Sequence, residues 1–488
     1  MIAKTIAELK RDQYPFKTIR TEIRDNLIKK IKSKEHRFSR IYGYDKTVIP
    51  DTERALLSGH NILFLGLRGQ AKTRIARLMV DFLDEYIPIV AGSEINDHPY
   101  APVSIYARQK IQELGEQTPI EWIHRSTRYV EKLATPDVSI ADLIGDLDPI
   151  KAAHQKLSFA DERSLHYGLI PRSNRSIFVI NELPDLQARI QVSLFNILEE
   201  EDLQIRGYKI KLPLDVFFVF TANPEDYTHR GSIITPLKDR IESQILTHYP
   251  IELEDAMKIT DSEAKINSDH KSQIIIPELI LRIIDQIAFI ARESEFVDEK
   301  SGVSARLSIA ARELLQSAVE HRMLINGEKK AQARILDLLS VVPALTGKLE
   351  LVYEGEQQGS LEVALHLINE AISAEIKPLF VTYSNGKKKI NESYTAVVNW
   401  FSNGNSLELD TDIPENVYTK TVESAISDAS LLLVCQEKNT KLSKLLLKEA
   451  LLHFLSAQNA IQKEWYDQRI EFKDPLSSML EDLNLSEN

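Results

Sequence analysis

The stretch Gly66-Leu-Arg-Gly69-Gln70-Ala71-Lys72-Thr73 sets two glycines ahead of a lysine and a threonine. It follows the apolar run Asn61-Ile-Leu-Phe-Leu65 and leads into Arg74-Ile-Ala-Arg-Leu-Met79, the order expected of strand, tight loop and helix. Backbone N–H groups at such a corner converge on an anion, and the positive end of the helix dipole reinforces them. The lysine can reach the outer phosphates of a nucleotide, and the threonine hydroxyl can ligate Mg²⁺. Ala71 stands where the second glycine of such a loop normally sits.

About 110 residues downstream, Ser176-Ile-Phe-Val-Ile180 reads as a strand ending in Asn181-Glu182. In P-loop NTPases a neighbouring strand delivers an acidic pair to the Mg²⁺ and the attacking water. Glu182 is placed to be the general base for that water. Asn181 occupies the partner position where an aspartate is usual. Its carbonyl oxygen can accept a hydrogen bond from a Mg²⁺-bound water, but the negative charge is gone, so Asn181→Asp is expected to raise Mg²⁺ affinity. The next apolar run, Val216-Phe-Phe-Val-Phe-Thr221, ends in Ala222-Asn223-Pro224-Glu225, and Asn223 at that tip can sit between a γ-phosphate and the water. Pro236-Leu-Lys-Asp-Arg240 then places an arginine just past the sheet, suited to a neighbouring subunit's phosphate in a ring. Gly302-Val-Ser-Ala-Arg306 opens a helix from which Arg306 can reach a γ-phosphate.

The elements that must position these groups follow from hydrophobic patterning. Asn61–Leu65, Arg128–Leu133, Ser176–Ile180 and Val216–Thr221 are short strands separated by helical stretches. Runs apolar at every position, such as Val216-Phe-Phe-Val-Phe220, suit parallel strands covered on both faces. Residues 1–35 read as a charged amphipathic helical segment, with Ile19, Ile23, Leu27 and Ile31 at helical spacing. An α/β domain follows over 36–250. Residues 86–122, carrying Pro88, Pro99, Pro102 and Pro119, read as an insertion within it. Beyond 251 the pattern turns helical, with 251–375 and 376–488 as successive regions and Pro475–Asn488 as an acidic tail.

The 488-residue chain carries a formal charge of −12, which opposes broad electrostatic attraction to nucleic acid or anionic membrane. Its one cysteine, Cys435, rules out an intrachain disulfide and sits in an apolar run as expected of a structural thiol. No apolar run approaches the ~20 residues of a membrane helix, and the charged N-terminus lacks a signal core. The expected location is cytoplasmic.

This ordered set resembles an AAA+ ATPase, more narrowly the branch containing MoxR-type ATPases and the magnesium chelatase I subunit, over about residues 36–375. Ile41-Tyr42-Gly43-Tyr44 is similar to the family's adenine-side segment. Gly66–Thr73 resembles the MoxR-type loop, in which alanine before lysine is tolerated. The resemblance implies that Tyr42, Gly43, Gly66, Gly69, Gln70, Ala71, Lys72, Thr73 and Arg74 contact ATP, and that Thr73 and, through water, Asn181 hold Mg²⁺. It assigns Glu182 as catalytic glutamate, Asn223 as first sensor, Arg240 as arginine finger and Arg306 as second sensor. Residues from about 145 to 174 resemble the hairpin insert in helix 2, and Asp202-Leu-Gln-Ile-Arg-Gly-Tyr-Lys-Ile-Lys211 the second hairpin of this branch. Lys348–Gly355 resembles a segment ending the family lid.

The implied fold is an AAA+ αβα sandwich with a parallel sheet, then an α-helical lid and a further mainly helical C-terminal region. The implied function is ATP hydrolysis in a ring, six subunits being usual, to remodel or activate a protein partner. That partner can be a von Willebrand A domain protein. Two alternatives stand beside it. One is an ATP-binding scaffold or switch with little hydrolysis, motivated by Asn181. The other is a nucleic-acid motor of the MCM-like branch, whose only support is Lys209 and Lys211 and which the acidic charge opposes. The GAFTGA string of bacterial enhancer-binding activators is absent.

Overall fold

The computed structural model describes residues 3–475 except 149, 151–153, 155–161, 201, 205–210, 225–230, 267–271, 386–388, 437–441 and 467–468. Two compact units divide between Tyr249 and Pro250.

The first unit is built on five parallel strands: β1 (Ile62–Leu65), β2 (Tyr129–Leu133), β3 (Ser176–Asn181), β4 (Val216–Ala222) and β5 (Ser243–Leu246). Their spatial order is β5-β1-β4-β3-β2. In register, Leu65 lies beside Ala222, Phe220 beside Ile180, and Asn181 beside Leu133. Successive side chains alternate between faces, and each face has its own core. Ile62, Phe64, Ile177, Val179, Phe217 and Val219 pack with residues of the helices Ile19–Ser33, Val48–Ser58 and Lys72–Leu78. Leu63, Phe178, Ile180, Phe218 and Phe220 pack with Ile170, Ile190, Leu194 and Leu237 on the other side. Both faces are covered, which is why these strands carry no polar alternation.

The helix Ile19–Ser33, which follows a short helix Ile6–Arg11, belongs to this unit. Ile19, Ile23 and Leu27 are buried, while Ile31 is partly exposed. Its Glu22 receives two 2.7 Å hydrogen bonds from the guanidinium of Arg128, which is itself completely buried and also donates to the Arg175 carbonyl. The insertion near 86–122 holds an antiparallel pair, Tyr86–Val90 with Ile120–His124, and the helix Ile105–Leu114. Within the segment from about 145 to 174, Gly145–Leu147 pairs with Leu165–Tyr167, whereas Leu157–Asp161 lies outside the described residues. In the second hairpin Asp202–Gln204 pairs with Lys211–Pro213, and Ile205 to Ile210, including Lys209, lie outside them. So does Glu225.

The second unit has one hydrophobic core running from Ile274 to Phe472. The helices Glu278–Glu293, Arg306–Ile325, Ser360–Ile376 and Lys444–Ala457 contribute to it. A three-stranded antiparallel sheet, Leu407–Asp410, Arg469–Lys473 and Gln462–Tyr466 in spatial order, joins them. Residues on either side of 376 therefore share this core. Among the described residues no helix is long and apolar enough to cross a membrane.

Candidate nucleotide site

Parallel pairing brings the C-terminal ends of β1, β4 and β3 to one edge of the sheet, where a βα fold leaves its crevice. The Gly66 N–H donates to the Ala222 carbonyl at 3.2 Å, so the loop begins against the tip of β4. A Cβ on Gly66 would lie 2.1 Å from Thr247 Oγ1 and 2.2 Å from Gln70 Oε1, so any larger residue there would displace both side chains. Gly69 has φ +73° and Ala71 φ +56°. Ala71 thus adopts the left-handed conformation that glycine takes most easily at this position, the strained region for an L-residue.

Lys72 is 7% exposed, and its Nζ donates to the carbonyls of Gly66 and Leu67, the latter at 2.9 Å. Thr73 Oγ1 donates to Asn181 Oδ1 at 3.1 Å. Glu182, directly after β3, has φ +55° and ψ +51° and donates its N–H to Thr221 Oγ1 at 3.2 Å. Asn223 is buried one residue past β4. The structure therefore gathers the loop, Lys72, Thr73, Asn181, Glu182 and Asn223 at one sheet edge. Arg74 lies in the first turn of the following helix.

Residues that sequence reasoning did not single out brace the loop. Tyr44 Oη lies 3.0 Å from the Gln70 carbonyl and 2.6 Å from that of His248, sharing one O–H between them. Burial pushes its pKa up. Thr247 Oγ1 donates to Gln70 Oε1 at 2.7 Å, and Tyr249 Oη to the Arg68 carbonyl at 2.8 Å. Tyr42 and Gly43 directly precede Tyr44, Gly43 with φ +78°. Behind Asn181 stands Glu131 of β2, which accepts from Asn181 Nδ2 at 2.7 Å, from Arg77 at 2.9 and 3.0 Å, and from Tyr129 Oη at 3.0 Å. Burial alone pushes the Glu131 carboxyl up, but the Arg77 and Tyr129 hydrogen bonds outweigh it and hold it below the usual range. The available signal was a single carboxylate at the centre of a predicted strand.

The two arginines lie apart from this cluster or in another unit. Arg240 precedes β5, whose Ser243 registers with Ile62 at the opposite end of β1 from the loop, about 10 Å along the strand. Its guanidinium donates to Glu199 at 2.7 and 2.8 Å and stacks over Phe195. Arg306 is the exposed first residue of its helix in the second unit, with its N–H bonded to Ser304 Oγ at 3.2 Å.

Oxygen donors from Thr73 and Asn181 side by side suit Mg²⁺, a hard cation that commonly completes its shell with substrate phosphates. Among the described residues no group of three His, Cys, Asp or Glu side chains could hold a metal alone.

Strand order, the loop after β1 and the polar tips of β3 and β4 define the first unit as a P-loop αβα sandwich of the AAA+ type. The sequence matches no protein-family model and no curated protein. Among solved structures it is similar to a protein of Cytophaga hutchinsonii provisionally assigned as an ATPase, at 17% identity over 74% of this chain and 98% of that one, TM-score 0.31. It is similar also to the complex of the BchI and BchD subunits of magnesium chelatase, at 19% identity over 66% and 98%, TM-score 0.34. A third is RuvB, the Holliday junction branch migration motor of Thermotoga maritima, at 12% identity over 62% and 70%, TM-score 0.34. The fold assignment rests on this chain's own strand order and loop.

Proposed function

We propose that this chain binds Mg²⁺-ATP at the β1–β4–β3 edge and hydrolyses it as a ring-forming ATPase akin to the MoxR and magnesium chelatase I branch. The observation that carries the reading is the contact of Thr73 with Asn181, beside Glu182 and one strand from Asn223, at the mouth of a loop holding a buried lysine. Lys72, whose Nζ donates to the Gly66 and Leu67 carbonyls, is the cation that turns to the phosphate oxygens. Glu182 takes the proton from the attacking water, and Asn223 orients that water. Thr73 and, through water, Asn181 would hold Mg²⁺, which would supply charge neutralisation at the triphosphate. Arg240 serves the site of an adjacent subunit, where such a finger contributes about 10³–10⁵ in rate. Arg306 reports the nucleotide state to the second unit. The output is remodelling or activation of a protein client, and a von Willebrand A domain protein can be that partner.

A second reading, a switch that binds ATP and scarcely hydrolyses it, draws on the neutral Asn181. Steady-state phosphate release separates the two. The hydrolysis reading predicts that Glu182→Gln lowers turnover at least 100-fold while ATP still binds; equal rates in wild type and variant would leave the switch.

A further inference from the structure

We propose that Glu131 is a positioning residue of this site: with Asn181 it forms an exchanged amide–carboxylate pair, carrying on β2 the negative charge that an aspartate would carry on β3. The inference rests on the ATP-binding reading. Glu131 registers with Val179, two residues before Asn181, so the two side chains are diagonal neighbours on one face. A carboxylate can only accept. The Asn181 NH₂ must therefore face Glu131, at 2.7 Å, which turns Oδ1 the other way. There it accepts from Thr73 at 3.1 Å and from Thr221 at 3.1 Å.

This orientation has a chemical consequence at Thr73. A hydroxyl that ligates a cation must send its proton elsewhere, and Asn181 Oδ1 is the acceptor that takes it. A flipped amide would present NH₂ to Thr73 and compete for the lone pair a metal needs. Thr221 links the same oxygen to the backbone N–H of Glu182, so the amide's direction also bears on the catalytic glutamate. Arg77 and Tyr129 hold Glu131 from behind. Arg77 lies on the helix that begins with Lys72 and Thr73, and the circuit closes on the loop itself.

The pair makes an unusual prediction about charge. Asn181→Asp alone sets two carboxylates against each other with no proton between them. Glu131→Gln alone leaves Arg77 Nε and Tyr129 holding the glutamine oxygen, so its NH₂ faces both Arg77 Nη2 and the Asn181 NH₂. The double variant restores the matches that orient position 181: Arg77 Nε and Tyr129 to the Gln oxygen, the Gln NH₂ to the Asp, and both threonines to the Asp, with only the Arg77 Nη2 bond lost.

The test uses the full chain and a fluorescent, slowly hydrolysed ATP analogue, titrated in EDTA and against MgCl₂. The EDTA titration gives each variant's Mg²⁺-free affinity, the reference for its Mg²⁺ response. The half-saturating Mg²⁺ concentration rises about tenfold or more in each single variant and returns to within about threefold in the double. Mg²⁺ responses unchanged in the single variants, or no recovery in the double, overturn the proposal while Lys72-dependent binding survives. Loss of Mg²⁺-free affinity without recovery in the double makes Glu131 a fold residue and overturns it too. Binding that Lys72→Ala leaves intact removes the nucleotide reading, and the proposal falls with it.

Discussion

Two residues at the site hold backbone conformations that L-side chains seldom adopt. Ala71 and Glu182 have φ +56° and +55°, and such strain gathers where surrounding structure dictates a geometry. At Ala71 the left-handed cost of about 1–2 kcal/mol exceeds the entropy glycine loses on folding, about 0.4–1 kcal/mol. Ala71→Gly is therefore expected to stabilise the chain by about 0.5 kcal/mol or somewhat more, read as a raised urea midpoint at unchanged slope. The loop itself was legible because its chemistry is local: consecutive residues, fixed spacing, a strand before and a helix after. Glu131 was not, because its meaning depends on a cross-strand neighbour 50 positions away that only register reveals. Its presence also changes the outlook for Asn181→Asp. The sequence alone points to higher Mg²⁺ affinity, whereas a second carboxylate 2.7 Å from Glu131 points to lower.

Among the elements, β1, β3 and β4 were readable from their apolar runs, since strands covered on both faces leave few polar positions, whereas β2 carries Glu131 and Lys132. The edge strand β5 escaped notice. Ser243-Gln-Ile-Leu246 buries only Ile245 fully and exposes Leu246, so its pattern is that of a polar connection. The helix Ile19–Ser33 was legible as amphipathic, but its place against the β1 face was not. The Glu22–Arg128 pair fixes it there, bidentate and fully desolvated. Removing one partner leaves a buried charge uncompensated, so Glu22→Ala is expected to cost about 3–5 kcal/mol, measured by urea unfolding. A loss under about 1 kcal/mol would mean that water reaches the pair.

At the scale of the whole molecule, the second unit is less legible than the first. Residues 376–488 match no motif, because their coherence lies in long-range packing. Arg334 pairs with Glu415 at 2.8 Å and stacks on Tyr418, and Glu449 accepts from the Leu336 N–H at 2.8 Å. Burial pushes the Glu449 carboxyl up to about 7 from its ordinary 4.5. The folded state thus prefers the protonated group. Its contribution is fully present below about pH 4.5 and is lost as pH rises through about 7. Relative to Glu449→Gln, the wild type is expected to lose stability between pH 5 and 7.5; parallel profiles would place Glu449 in contact with water.

Assembly makes a second prediction at this scale. Arg240 is held by Glu199 at the end of the sheet away from its own loop, which fits a finger that serves another subunit. Arg240→Ala and Glu182→Gln are each expected to abolish turnover, and mixing them to recover part of it in shared rings. Absence of any recovery would argue against a finger in trans.

All of this depends on Lys72 and the loop cradling a nucleotide triphosphate, which calorimetric titration of the full chain with ATP and MgCl₂ tests most directly. One saturable site is expected in the wild type, and at least about 100-fold weaker binding in Lys72→Ala. Equal affinity in the two proteins would contradict it.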